Sequence, residues 1–551
     1  MKSIQLMKAM KRASTQIYRS INPIFTSGVV LFASSYNLQQ SHAESTKSTF
    51  ALIDDGVPAG RPVSRFSIYG VRLEIPAQVS NTLWGVSSIP LGEAIEDDHT
   101  TAETVAYTPS RALNYQVRLG LNIDTRKLFS PIFFSAHYEQ DFLTGFFSGG
   151  EAEVNGIAMP LSQNAQRNVI RKAFARLTLG PVLTVRGGIM TSHWGLGLLA
   201  NDGNHGWTPG SAYFGDPRGG DRVQRILLAT GPWTKDKLLL SVAYDKVLGD
   251  DVLLNDDTAH QMIFAAVYGY GKETQVGAYV VRRDQDIPQP SLGRNKKTSV
   301  WVYDVHAKSS WYLGDEAKLS AELEGVVIEG ETTLAPNPEF SKNDVLQAAL
   351  AAKINLSFGA SGGVLDIIYA TGDQNFDDGA QNAFRADPNY EMGLLLFRQV
   401  LSAQTGRSPI TAGDLNLVGV PNEDLDRFPT RGSVSNTIAV FPKGWLRIYD
   451  GLELYGGPLF AWGETSLADP RNTRFNGGYP VNLLGGEGGR YLGTELDLGI
   501  RAQLGLWRGA TLNLGAEGGA FFPGDAFKGE EPNDLTMGAV YGGRLMVRAN
   551  F

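Results

Sequence analysis

In several stretches of this sequence, ionisable side chains stand at every second position with apolar ones between them. Arg118 follows Asn114 and Gln116, and Glu139 and Asp141 follow Ser135 and His137. Arg176, Arg186, Glu495 with Asp497, Arg501 and Arg544 sit in the same relation to their neighbours. A period of two places such groups on one face of a strand and apolar groups on the other. Arg72, Lys172, Lys308, Lys318, Lys353 and Arg548 extend the positive set, and Glu74, Asp304, Glu322, Glu324, Asp366, Glu453 and Glu517 the negative one. A ring of one sign would select ions. A near-balanced set implies a hydrated interior, or one filled by salt bridges, with no single arginine marked as a selectivity residue.

Other polar residues concentrate in segment 191–222, which runs from Thr191-Ser192-His193-Trp194-Gly195 through Asp202 to Asp216, Arg218, Asp221 and Arg222. It is too apolar and glycine-rich for a plain surface loop, and its Asp and Arg residues could tie it to a wall by salt bridges. The candidates for lining or narrowing a pore are therefore Arg118, Glu139, Asp141, Arg176, Arg186, Asp202, Asp216, Arg218, Asp221, Arg222, Glu495, Arg501 and Arg544. Metal and catalytic chemistry find little purchase. Asp373-x-Asn375-x-Asp377 has calcium-loop spacing, but Asp378 stands where the turn needs Gly and Phe384 where a bidentate Glu belongs. The histidines are scattered with no metal-ligand pair at helical spacing. His193 and Asp202 lie near Ser192, yet a strand-to-loop run does not orient a nucleophile and base. No Gly-x-Ser-x-Gly elbow occurs. The expectation is a protein without enzymatic activity, cofactor or bound metal.

The elements that must position these groups are strands. Residues 111–124, 131–145, 299–312 and 490–505 alternate clearly, with Leu119, Phe134, Trp301 and Leu492 on the apolar side. The strands run to about 10–16 residues, whereas soluble strands average about 5–6. Aromatics near strand ends (Tyr69, Trp301, Trp311, Trp445, Tyr449, Tyr491) suit the interfacial girdles of a membrane barrel. Tight connections such as Gly180-Pro181, Gly314-Asp315 and Asp450-Gly451 alternate with long ones, among them 192–221, 284–297, 372–433 and 465–489. Tight turns belong on the periplasmic side, so every strand after one runs outward. Met392–Val400 breaks this parity if taken as a strand. It therefore belongs inside a long outer loop, as a helix or folded into the lumen. The expectation is an all-β, transmembrane, antiparallel up-and-down barrel of about 18 strands, with 16 the next even number.

Residues 1–43 read as an export signal, with a basic start (Lys2, Lys8, Lys11, Arg12, Arg19), an apolar stretch Ile24–Ala33 and a small-x-Ala site at Ser41-His42-Ala43. A short periplasmic segment, 44–63, precedes the barrel at 64–551. It leaves no room for an N-terminal plug domain. No run of 18 or more apolar residues offers a spanning helix. The chain has no Cys, which fits export. Its net charge of −8 argues against nucleic-acid binding. The last strand, 536–551, alternates to a terminal Phe551, the kind of signal read by barrel-assembly machinery.

His193-Trp194-Gly195-Leu196-Gly197, Asn201-Asp202-Gly203 and Gly215-Asp216…Asp221-Arg222-Val223 resemble a block in a family of large, poorly characterised outer-membrane proteins of myxobacteria and relatives. Ala370-Thr371-Gly372-Asp373…Asp387-Pro388-Asn389-Tyr390…Gly393-Leu394-Leu395 resembles the same family, and more loosely alginate-export porin-type barrels. Together the blocks cover about a sixth of the chain. The resemblance implies the barrel and no substrate. Arg176 and Arg186 only partly match the arginine-rich strands of alginate exporters. The functional expectation is an outer-membrane channel for polar small molecules or saccharides, its bore set by 192–221 and 372–433. The alternatives are a polysaccharide export conduit and a closed barrel with a structural or surface-binding role. The expected partners are outer-membrane lipid and the assembly machinery.

Overall fold

The computed structural model describes residues 64–94, 103–107, 112–125, 132–144, 153–154, 157–158, 167–217, 219–250, 257–289, 294–333, 339–405, 430, 432–469, 472–473, 476–529 and 536–551. The expected signal peptide 1–43, the segment 44–63 and Arg218 lie outside the described residues.

The main sheet has 21 strands. Three are short: Ser64–Ile68 and Val71–Ile75, which pair with each other, and Ala380–Gln381. The remaining 18 form the closed antiparallel barrel. In chain order these are β1 Ala77–Val86, β2 Ala112–Asp124, β3 Ile132–Thr144, β4 Arg167–Leu179, β5 Leu183–Thr191 and β6 Arg222–Trp233. Then come β7 Leu238–Gly249, β8 Thr258–Tyr268, β9 Gln275–Gln289, β10 Arg294–Tyr312, β11 Ala317–Thr332 and β12 Asn343–Phe358. The last six are β13 Ser361–Ala370, β14 Thr437–Tyr449, β15 Leu452–Trp462, β16 Tyr491–Gly505, β17 Thr511–Pro523 and β18 Val540–Asn550. Each strand pairs with the next, and β18 pairs with β1 from Gly542↔Val86 to Asn550↔Gln78. Phe551 finishes the seam: its N–H donates to Ala77 O (2.7 Å), and Ala77 N–H donates back to Phe551 O (3.1 Å). Closure removes the sheet edges that would expose unpaired backbone groups in lipid.

Alternation sorts the two faces as expected. Ile226, Leu346 and Leu498 are 64%, 59% and 72% exposed, while inward Arg225, Asp245, Asp304 and Asp141 are at most 1% exposed. An isolated water-soluble protein would not display that many large apolar groups in a continuous belt. No helix among the described residues is long and apolar enough to cross a membrane; the chain crosses with strands.

The parity of connections holds, and Met392–Val400 is no strand. Leu396–Leu401 forms a short wide-turn helix, extended by Ser402–Gln404, inside the long connection between β13 and β14. Three local expectations are corrected. Segment 284–297 is not a long loop: β9 and β10 extend to Gln289 and from Arg294, paired throughout. Their tips are polar enough to stand beyond the lipid, with Arg282 donating to Asp284. Trp445 does not face lipid; it lies inward among Gly362, Gly210 and Arg447. Leu492 is buried in the cluster that includes Ala526 and Phe527, because the turn after β17 folds back over it.

Candidate functional site

The two long connections that parity assigns to the outer side fold into the lumen. Each is held by a wall carboxylate set in a cup of consecutive backbone N–H groups. On β11, Glu324 accepts hydrogen bonds from Leu196, Gly197 (3.2 Å) and Leu198 (3.2 Å) of segment 192–221. On β16, Glu495 accepts from Leu394 (2.6 Å), Leu395 (2.8 Å) and Leu396 (2.7 Å) of the β13–β14 connection. Such a cup is an anion-binding nest, and it needs a left-handed residue to turn the N–H groups to one side. Gly195 (φ +58) and Gly393 (φ +73) supply it. A Cβ at Gly195 would come within 2.4 Å of the Glu324 carboxylate, and one at Gly393 within 3.0 Å of that of Glu495. Any side chain at either place would displace the carboxylate.

The first loop is tied to the wall on several sides. Trp194 Nε1 donates to Asp304 on β10 (2.9 Å). Gly210 N–H donates to Glu453 on β15 (2.8 Å), and Asn355 on β12 donates to Gly210 O (3.1 Å). Asp216 accepts from Thr82 on β1 (2.6 Å) and pairs with Arg548 on β18 (3.0 Å). The second loop sits against the first: Glu391 accepts from Asp216 N–H and pairs with Arg398, Tyr213 Oη donates to Asn389 O (3.2 Å), and Asp387 N–H donates to Leu198 O (2.7 Å).

Two charge clusters hold the ends of the first loop. In one, Arg118 grips Asp141 with Nε (2.6 Å) and a terminal nitrogen (2.7 Å) and donates to Asn204 in the loop. Arg171 pairs with Glu139 (2.9 Å) and donates to the main-chain oxygens of Asp202 (2.5 Å) and Gly219. In the other, Glu517 lies between Arg501 (2.6 Å) and Arg544 (2.5 Å). Those arginines also donate to Gly215 O (3.5 Å) and Phe214 O. Arg501 stacks over Trp207 and Arg544 over Trp84, whose ring also carries Arg398.

The sequence-derived candidates therefore divide. Arg118, Glu139, Asp141 and Asp202 come together, as do Asp216, Arg501 and Arg544, and Glu495 holds the second loop. Arg176 and Arg186 are direct cross-strand partners near the tight turn between β4 and β5. Asp221 closes the base of the first loop, accepting from Asn201 N–H (3.3 Å); burial, with Asp387 and Asp250 nearby, pushes its carboxyl up. Arg222 braces the wall instead, donating to the main-chain oxygens of Leu248 (3.5 Å) on β7 and of Ile170 (3.4 Å) on β4, beyond the end of β5, beside a register shift at the start of β6.

Asp373, Asn375 and Asp377 act as turn-formers: Asp373 accepts from Asn375 and Asn382 N–H (both 3.1 Å), and Asn375 accepts from Asp377 N–H (2.9 Å). Ser192 Oγ accepts from Arg225 (2.9 Å). Within the first loop, Asp202 accepts from Asn204 N–H and His205 Nδ1, both at 2.9 Å, and His193 stacks on His205 with ring centroids 3.5 Å apart. Burial and the neighbouring His205 push His193 down to about 3, so it is a neutral imidazole at pH 7. Burial works to raise the Asp202 carboxyl, and His205 beside it outweighs this, holding it well below the usual carboxylate range.

Sequence reasoning missed Arg171, because a register shift between Ile170 and Lys172 turns it inward against the alternation. It also missed the Arg225–Asp245 pair (2.6 Å) and Lys443 beside Asp366, both of which alternation alone makes inward. The nests had a visible signal: Gly195-Leu196-Gly197-Leu198 and Gly393-Leu394-Leu395-Leu396 are near copies in the two loops.

A closed 18-stranded barrel with an apolar outer belt and a charged, loop-filled interior is an integral outer-membrane β-barrel. The sequence matches no protein-family model and no curated protein. Among solved structures it is similar to OpdK of Pseudomonas aeruginosa crystallised with vanillate (10% identity, TM-score 0.48, covering 87% of this chain and 98% of that one). It is similar also to a BenF-like porin of Pseudomonas fluorescens Pf-5 (11%, 0.48, 87% and 98%) and to OccAB2 of Acinetobacter baumannii (11%, 0.46, 86% and 98%).

Proposed function

We propose that this protein is a restricted outer-membrane channel for polar small molecules, with the two inserted loops setting its bore. The observation that supports it most is the pair of nests. Each loop is fastened inside the barrel by buried carboxylates on its wall, and a loop held across the lumen narrows it. An 18-stranded barrel without such loops would enclose a wide aqueous passage. The lumen wall carries both signs (Lys308, Lys353, Glu322, Asp366), an environment suited to polar, hydrogen-bonding solutes over one class of ion.

Planar-bilayer recording tests this. The intact chain gives steady single-channel steps, and removal of 372–433 enlarges them. Silence from both proteins, each confirmed folded by heat-modifiable gel mobility, rejects the channel. A closed, non-conducting barrel is the second reading. It is favoured by the apolar packing between the loops and the wall, where Trp194, Leu198, Phe214, Leu395, Phe397 and Leu401 share one buried cluster. Silence in the intact chain with conductance only after trimming would select it.

A further inference from the structure

The first loop gathers two histidines and an aspartate that its tethering to the wall does not require. His193 stands at the loop's entry, Asp202 at its far turn and His205 just beyond. One ligating atom of each lies within 4.8 Å of the others. The segment between them is folded tightly on itself: Trp194 N–H donates to Ala200 O (3.0 Å), Gly197 N–H to Trp194 O (2.9 Å) and Asn201 Nδ2 to Gly197 O (3.3 Å). The Glu324 nest fixes its middle, and Arg171 fixes the Asp202 backbone. The three side chains are thus delivered by a scaffold held from both sides.

The second observation is an unused nitrogen. His193 is 2% exposed at its side chain, and its Nδ1 has no hydrogen-bond partner. That atom faces Asp202 Oδ1 at 3.9 Å, too far for a hydrogen bond. A buried imidazole nitrogen without a partner, set 3.9 Å from a carboxylate oxygen, leaves a gap between them in which an electron-pair acceptor fits. His205, 24% exposed, leaves one side of the cluster open to solvent, so an ion can enter and keep a water.

We propose that His193, Asp202 and His205 bind one divalent first-row transition-metal ion inside the lumen. Two imidazole nitrogens and one carboxylate oxygen suit Zn²⁺, Co²⁺ or Ni²⁺, with water completing the shell. They do not suit Ca²⁺ or Mg²⁺, which take oxygen ligands. Ligand bonds of about 2.0–2.2 Å require the three atoms to draw in slightly. They also require the two imidazoles, now stacked 14° from parallel, to rotate until an unprotonated nitrogen of each points at a shared centre, His205 giving up the hydrogen bond that its Nδ1 donates to Asp202. The nearest fixed cations do not forbid an ion: Arg118 and Arg171 are neutralised by Asp141 and Glu139 on β3. Buried His306 on β10 faces the neighbouring Gly195. A bound ion would join both ends of the 193–205 turn and stiffen the loop that crosses the lumen.

The test uses the full-length barrel in detergent, without a histidine tag and stripped by chelator, titrated with Co²⁺ and with Zn²⁺. The chain has no cysteine, so a visible Co²⁺ band reports nitrogen and oxygen ligands alone. The expected result is one ion per chain, with affinity falling by more than about tenfold in both His193→Gln and His205→Gln. His260→Gln, an exposed histidine on β8, serves as the unaffected control. Heat-modifiable mobility shows that each variant still forms the barrel. Zero ions per chain overturns the proposal, and so does binding that survives both substitutions. The readout is independent of conductance, so a silent channel would leave it standing.

Discussion

The two inserted loops share one fastening and differ in everything around it. Segment 192–221 has its nest on Glu324 and reaches further partners on β1, β2, β4, β10, β12, β15, β16 and β18, nearly all through charged or polar side chains. The β13–β14 connection has its nest on Glu495, and beyond it a short helix whose Leu396, Phe397, Val400 and Leu401 are buried in apolar packing. The first loop is positioned by directional bonds spread over the wall. The second is tied at its start by the pairing of Ala380–Gln381 with β12 and by Gly372 N–H to Glu464. Its 391–404 part rests on the Glu495 nest and on the surface the first loop offers. Directional bonds fix where a backbone runs; apolar packing tolerates sliding. The first loop is thus the frame of the constriction and the second its filling.

The largest break in that comparison is removal of each loop in turn. Excising 196–216 takes away the surface on which 387–398 packs and loosens that part of the second loop, so conductance rises toward that of an open barrel. Excising 372–433 leaves the frame standing and gives the smaller rise. Equal conductance from the two deletions in planar bilayers would mean that the loops are independent.

Next in size are the nests. Glu324→Ala or Glu495→Ala strands three backbone donors inside the lumen, each costing about 1–3 kcal/mol if it stays buried and unpaired. Glu495→Ala should release Leu394–Leu396 and the short helix beyond them, while 372–382 stays tied through the pairing of Ala380–Gln381 with β12, Asn343 and Glu464. Glu324→Ala should loosen only Leu196–Leu198, since Glu453, Arg544 and Thr82 still hold the later part of that loop. Amide exchange at Leu394–Leu396 and Leu196–Leu198, followed by mass spectrometry, separates the two outcomes. A smaller effect in the same direction follows from Gly393→Ala, which pairs the strain of a positive φ, of order 1 kcal/mol or more, with a Cβ pressed on the Glu495 carboxylate.

The barrel was legible in the sequence because alternation and turn chemistry are local. Arg118, Glu139 and Asp141 could be set on one face by counting, and Met392–Val400 could be removed from the strand count by parity alone. What counting could not supply was anything that depends on a register shift or on a loop's return path. Arg171 is inward only because one residue is inserted against β3. Trp445 looked like a girdle residue by type and position near a strand end, but its parity with Phe441 and Lys443 is inward. The pairing of Glu324 with Leu196–Leu198 joins residues separated by 128 to 126 positions, and no period spans that distance. His193 and His205 meet because the chain between them doubles back.

The smallest of these effects is the most direct test of which loop leans on which. Tyr213 lies in the first loop, and its hydroxyl donates to the main-chain oxygen of Asn389 in the second. Its ring lies under Lys353 on β12, so Tyr213→Phe keeps the packing and removes one neutral hydrogen bond. Such a bond contributes about 0.5–1.5 kcal/mol, so local opening should rise by roughly twofold to thirteenfold. If the first loop is the frame, exchange quickens at 386–391 and stays unchanged at 196–198, because the Glu324 nest does not feel the loss. If both segments quicken together, the loops form one cooperative plug, and the division between frame and filling fails.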